Sequence, residues 1–253
     1  MFNIEIYLDS LPEDIEEIDV SNKGIKKLDV TRFKNLKTLN CNNNQLTSLY
    51  LNENLQVLYC SNNQLTSLHL NENLQTLWCN YNELTSLHLN ENLQKLYCSN
   101  NQLTSLHLNE NLQKLYCYNN QLTSLHLNEN LQELYCFNNQ LTSLHLNENL
   151  QILHCYYNQL ISLHLNEKLE TIDYEKNPIY DIINSSEIEI IKQKLQVLNQ
   201  FRYLYYSLKF KTRFRDILWV KIREPKIREK YSHDYLVEHL HEDTDLDELL
   251  NNW

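Results

Sequence analysis

Seven cysteines, Cys41, Cys60, Cys79, Cys98, Cys117, Cys136 and Cys155, stand nineteen residues apart in a chain of 253. A thiol can be a nucleophile, a zinc ligand or half of a disulfide, and each chemistry asks for a different arrangement. A nucleophile needs a lowered pKa and an activating partner. A structural zinc site needs four ligands converging on a tetrahedron. A fixed interval instead puts one thiol at the same point of every turn of a repeating structure, in a straight row. Such thiols do not converge on a metal ion, and bridging neighbours would distort the backbone between them. The spacing assigns the cysteines to a reduced core, where free cysteine acts as a small hydrophobe. A reduced row fits an intracellular compartment.

Two other rows keep the same beat. His69, His88, His107, His126, His145 and His164 alternate with leucines, so they face outward on the convex or lateral side, with Glu53, Glu72, Glu91, Glu110, Glu129, Glu148 and Glu167 close by. Imidazoles in register could hold a metal weakly or repel one another on acidification. Tandem duplication of a tolerated surface residue is the simpler account of them. The third row is aromatic. Tyr59, Trp78, Tyr97, Tyr116 and Tyr135 each precede a cysteine, and Tyr118, Phe137 and Tyr156 each follow one. Contiguous exposed aromatics mark interfaces, and these eight are the candidate partner-binding residues. Stacking of neighbouring rings would also stabilise the structure that carries them.

The apolar spacing defines the elements that hold these rows. In the unit at Leu93 the apolar positions are Leu93, Leu96, Cys98, Leu103, Leu106 and Leu108. Alternation around Leu96 and Cys98 predicts a strand with those two side chains inward, which turns Tyr97 outward. Ser99, Asn100 and Asn101 then turn the chain, and Leu103, Leu106 and Leu108 pack back from the opposite wall. A unit of nineteen residues cannot bury enough surface to fold alone, so neighbours must share one core.

The run Leu93-x-x-Leu96-x-Cys98-x-x-Asn101-x-Leu103-x-x-Leu106 resembles the leucine-rich repeat consensus LxxLxLxxNxLxxL, with cysteine as the third leucine. The resemblance spans residues 15–182 in about nine units, the first and last of them worn. A similar cysteine ladder occurs in short internalin-type repeats. The resemblance implies an α/β repeat solenoid: a horseshoe or arc with a parallel sheet on its concave face, followed by a small helical C-terminal region. It also implies that Asn44, Asn63, Asn82, Asn101, Asn120, Asn139, Asn158 and Asn177 bond backbone groups across successive turns, with Lys23 breaking the series.

Residues 1–14 read as an N-terminal cap, 15–183 as the solenoid and 184–253 as the helical region. In the last, Ser186 with Glu189 has capping-box spacing, and apolar residues recur at helical intervals over 186–222. Shorter helices are predicted over 234–241 and near 246–253. Lys192–Lys230 holds twelve Lys and Arg against three acids, and Tyr231–Trp253 holds seven acids and no Lys or Arg. That split predicts an acidic tail folded back on basic helices. The last forty residues also resemble a segment of uncharacterised proteins from mimivirus-type giant viruses, through LWVKIREPKIREKY and TDLDELLNNW. This implies a host-cell or virion setting and assigns no activity.

Net charge is −11, which argues against a nucleic-acid ligand, since phosphate binding needs a basic surface. Met1–Asp9 lacks the basic and apolar regions of a secretory signal, and no apolar run reaches membrane-spanning length. Neither a phosphate loop nor a protease or hydrolase motif is present, so an enzyme is not expected. No cofactor or metal is expected either. The expected partner is an unidentified protein, host or viral. Alternatives are a structural component of a virus particle, and an adaptor recruiting a second protein through its helical region.

Overall fold

The structure is a computed structural model and describes residues 2–201. The chain divides into two compact units, Met1–Val197 and Leu198–Trp253. The first is a solenoid built on a nine-stranded parallel sheet.

Each strand is three residues long, as in Thr76–Trp78, Lys95–Tyr97 and Lys114–Tyr116. Consecutive strands pair in register, Leu77 with Leu96 with Leu115, a slip of one full unit each time. The middle residue of each strand from Thr38–Asn40 to Ile152–His154 points inward and is completely buried: Leu39, Leu58, Leu77, Leu96, Leu115, Leu134 and Leu153. The leucine opening each unit and the cysteine closing each strand are buried with it. Gln94 N–H donates to Gln75 O at 2.8 Å and Cys98 N–H to Tyr116 O at 2.8 Å, extending the ladder beyond both ends of the strand.

A left-handed residue turns the chain out of each strand. Asn43, Asn62, Asn100, Asn119 and Asn138 have φ between 52° and 57°, and Tyr81, Tyr157 and Lys176 take the same conformation at 54°, 50° and 55°. Asparagine tolerates this region better than other residues with a Cβ. The chain returns along a second wall through Leu103 and Leu106, both buried. Short parallel strands form there only between Ser143–His145 and Ser162–His164, and between Lys27–Asp29 and Ser48–Tyr50, among the described residues. Leu108, expected inside, is only half-buried, and Asn109 after it is buried instead. The His–Leu alternation ends where the chain turns, so it does not carry Leu108 into the core.

The asparagine series behaves as the repeat pattern implied. Asn101 Nδ2 donates to Cys79 O of the preceding turn at 3.0 Å and to Cys98 O at 3.1 Å, while its Oδ1 accepts Leu84 N–H at 3.0 Å. At Lys23 the series breaks, and the N–H groups of Lys23 and Ile25 donate to Asn44 Oδ1 of the next turn.

Both ends are closed by helices. Helix Ile4–Asp9 is capped by Asn3, whose Oδ1 accepts the N–H groups of Glu5 and Ile6, and it buries Leu8. Past the last strand, Tyr174 fills the cysteine position and donates its hydroxyl to Ser185 O at 3.0 Å. Helix Pro178–Ile183 follows, starting on proline, burying Ile179 and Ile183, and ending at left-handed Asn184. A helix then runs over 188–201 within the described residues, with Ile191 and Leu195 buried one turn apart. Ser185, rather than Ser186, is the hydroxyl bonded at its approach, accepting Glu187 N–H. The remainder of the expected 186–222 helix, the helices at 234–241 and 246–253, and the docking of the acidic tail lie outside the described residues.

Candidate functional site

The first and third residues of every strand point away from the core, so the outer face of the sheet carries columns that run across the strands. The central column is Tyr59, Trp78, Tyr97, Tyr116, Tyr135 and His154, all half-buried. Register pairing holds their backbones side by side, and the rings close into one continuous stack. Centroid separations from Tyr59 to His154 are 5.9, 3.9, 4.7, 4.2 and 4.6 Å. Trp78 on Tyr97 and Tyr116 on Tyr135 lie within 19° and 12° of parallel. Beyond His154 the column ends at Asp173, whose carboxylate lies 3.8 Å from His154 Nδ1.

A second stack runs beside the first. Tyr118, Phe137 and Tyr156 have centroids 4.3 Å apart at each step and are within 10° of parallel. Toward the N-terminus the same column holds Asn42, Ser61, Asn80 and Ser99. There Asn42 Oδ1 accepts Ser61 N–H at 2.7 Å and Asn80 Oδ1 accepts Ser99 N–H at 2.8 Å. Small side chains turned onto the backbone thus give way to rings, and the aromatic surface widens toward the C-terminal repeats. All eight residues picked from the sequence lie on this one face.

Three features of the face go beyond the aromatic rows. Lys114 Nζ lies 2.6 Å from Glu133 Oε1, and Tyr116 donates its hydroxyl to Glu133 Oε2 at 3.1 Å. The bond to Glu133 raises the pKa of Lys114. Burial, then the hydrogen bond to Glu133, pushes the Tyr116 phenol well above its ordinary range. Burial also raises Tyr97. The signal was present in the sequence: 114 and 133 differ by one repeat. Second, Tyr81 and Tyr157 occupy the left-handed turn position at the rim and are more than half exposed, with Tyr157 edge-on to Tyr156. Third, the column before the ring stack changes character from strand to strand, as Thr38, Val57, Thr76, Lys95, Lys114, Glu133, Ile152 and Thr171.

The other rows sit elsewhere. All seven thiols are free and completely buried. Desolvation pushes Cys98 and Cys136 up to about 12 and the others well above their ordinary value. The six histidines are exposed on the opposite wall, and His145 and His164 stack at 5.4 Å. No group of three or more His, Cys, Asp or Glu is placed to hold a metal ion among the described residues. No helix among them is long and apolar enough to cross a membrane.

No family model matches the chain, and no curated protein matches it. Solved structures do. The functional domain of InlJ from Listeria monocytogenes, which includes a cysteine ladder, matches with a TM-score of 0.54 and 29% identity, over 64% of this chain and 44% of that one. YopM from Yersinia enterocolitica matches at 0.56 and 30%, over 64% and 40%. YopM from Yersinia pestis, a leucine-rich effector protein, matches at 0.58 and 28%, over 64% and 55%. A chain of the octameric complex of Latrophilin 3, Unc5D and FLRT2 shares the fold at 20% identity and a TM-score of 0.56. The chain therefore spans about half the length, or less, of the bacterial proteins it resembles. Its fold is that of the leucine-rich repeat proteins, a parallel-sheet solenoid with a cysteine ladder along its core.

Proposed function

We propose that the chain is a non-enzymatic interaction module whose sheet face binds a protein partner through its two ring stacks. The carrying observation is the continuity of the aromatic surface, five aromatic side chains and a histidine in one column with three more aromatics alongside. Stacked rings form a rigid surface that loses little side-chain freedom when a partner covers it. The thiols, the most reactive groups in the repeats, are buried and held protonated, which supports binding over catalysis. Complex formation by the Latrophilin 3, Unc5D and FLRT2 assembly supports the same reading by analogy of fold alone.

The resemblance of the C-terminal segment to giant-virus proteins favours a partner in an infected host cell. It also supports a second reading, packaging in the virus particle, which proteomics of purified particles would separate from the first. For the binding surface, a photo-crosslinking amino acid is placed at Phe137 and, in a separate chain, at exposed Thr104 on the opposite wall. A partner band formed from 137, absent from 104 and lost in the W78A/Y97A/Y116A chain is the expected result. Equal bands from both positions, or a band undiminished by the three substitutions, would refute the reading.

A further inference from the structure

The central ring stack has a property that does not depend on any partner. Trp78 and Tyr97 are in face contact at 3.9 Å, Tyr97 touches Tyr116 at 4.7 Å, and Tyr116 touches Tyr135 at 4.2 Å. Indole and phenol are the side chains most readily oxidised by one electron apart from thiols, and the thiols of this unit are sealed in the core. Ring faces in van der Waals contact let an electron vacancy pass from one to the next faster than it is quenched by solvent. Oxidising a phenol also requires a place for its proton. Tyr116 has one, because its hydroxyl donates to Glu133 Oε2 at 3.1 Å.

We propose that Trp78, Tyr97 and Tyr116 form a relay that carries a one-electron oxidising equivalent along the sheet face and rests it on Tyr116. A diffusible one-electron oxidant takes an electron from the half-exposed Trp78 ring and is itself reduced. The indole radical cation releases its N–H proton to water. Tyr97 then gives an electron to the Trp78 radical, which regains a proton from water, while the Tyr97 phenol releases its own. Tyr116 reduces Tyr97 in turn; Tyr97 regains its proton from water, and the Tyr116 O–H proton passes along the hydrogen bond to Glu133. The products are a neutral Tyr116 phenoxyl radical and a protonated Glu133. A one-electron reductant of the ascorbate class returns the electron, Glu133 returns the proton, and the stack is restored. Lys114, 2.6 Å from Glu133 Oε1, holds the accepting carboxylate in place.

The test uses the full chain with Trp219 and Trp253 replaced by Phe, leaving Trp78 as the single indole of the three. Azide radicals generated by pulse radiolysis oxidise it, and the indolyl and phenoxyl absorption bands are followed in time. The expected result is first-order decay of indolyl with matching growth of phenoxyl, at a rate independent of protein concentration. Tyr97→Phe keeps the ring packing and should abolish this fast phase. Tyr50→Phe, exposed on the second wall, should leave it unchanged. The radical trapped by rapid freezing should lose its spectrum, read by electron paramagnetic resonance, in Tyr116→Phe. A fast phase that survives Tyr97→Phe, that depends on protein concentration, or that leaves a radical unaltered by Tyr116→Phe overturns the relay. Unchanged melting temperatures confirm that the variants remain folded.

Discussion

Alkaline pH is the perturbation for which the thiol row makes the most quantitative demand. All seven thiols have a folded pKa raised by desolvation, from an ordinary value of 9.0 to about 12 for Cys98 and Cys136 and upward for the rest. A group whose folded pKa lies above its unfolded one contributes stability that is whole below the unfolded value and is lost as pH rises toward the folded one. Between those limits the unfolded chain releases protons that the fold retains. Each such thiol removes about 1.4 kcal/mol per pH unit, and seven together approach about 10 kcal/mol per unit. Integrated from neutrality, the loss is about 3 kcal/mol at pH 9 and about 10 kcal/mol at pH 10. Against a typical stability of roughly 5–15 kcal/mol, the solenoid should unfold within about one to two units above pH 9.

The assay is urea unfolding followed by circular dichroism over this range, with reductant present so that oxidation plays no part. Phenols titrate from about pH 10 upward, so the loss below that belongs to the thiols. The control is valine at Cys79, Cys98 and Cys117. Valine is tolerated at this strand position, since Val20 in the first unit is completely buried. Four remaining thiols reduce the expected loss at pH 10 to about 6 kcal/mol. A triple-valine chain that loses as much stability with pH as its parent would refute the buried neutral row.

Three further outcomes follow from the same geometry. Within one repeat, Asn101 makes three good buried bonds, Asn109 two, to Asn90 O and Leu93 O, and exposed Asn111 one, to Glu91 O. Alanine should therefore cost about 3–6, about 2–4 and under about 1 kcal/mol in turn, and equal losses by denaturant titration would contradict the ranking. Tyr81→Asn and Tyr157→Asn relieve a left-handed backbone and should each raise stability by about 0.5–1 kcal/mol; a lower melting temperature in both would show that the tyrosine rings contribute more than the strain removes. Glu133→Gln removes the Lys114 ion pair and weakens the acceptor for Tyr116. In ultraviolet titration the Tyr116 phenol should then ionise at lower pH than in the parent, and an unaltered titration curve would mean that Glu133 does not hold it.

The rows legible in the sequence were those set by alternation and by exact translation. Leu96 and Cys98 inward fixes Tyr97 outward, and a shift of nineteen residues then aligns every ring. Buried asparagine was legible only where a known pattern marked it. Asn101 fell at the repeat asparagine, whereas Asn109 sits in a polar-looking run with exposed Glu110 and Asn111. Residue type does not separate the three. What distinguishes Asn109 is the path of the chain, which turns its amide onto Asn90 O of the preceding unit and Leu93 O at the start of its own. Tyr81 and Tyr157 are not legible for a related reason: a left-handed turn is a backbone property, and tyrosine gives no hint of it.

Translation by one strand also limits which side chains a row can hold. Identical charges about 4.8 Å apart repel, while identical neutral groups can add favourable contacts at each step. The buried and half-buried rows are accordingly cysteine, asparagine and tyrosine, and the glutamate row lies in exposed positions where water screens it. Between the strands Val57–Tyr59 and Ile152–His154, charge enters the sheet face in one column, at Lys95, Lys114 and Glu133, and there Lys114 is balanced by the opposite charge one strand on. This column matters for the proposed binding face. A partner displaced by one unit would still meet rings in the central stack, but it would meet Lys114 where it had met Lys95, and Glu133 where it had met Lys114. The stack supplies area without specifying position, so the charged column is what would set the register of a bound partner.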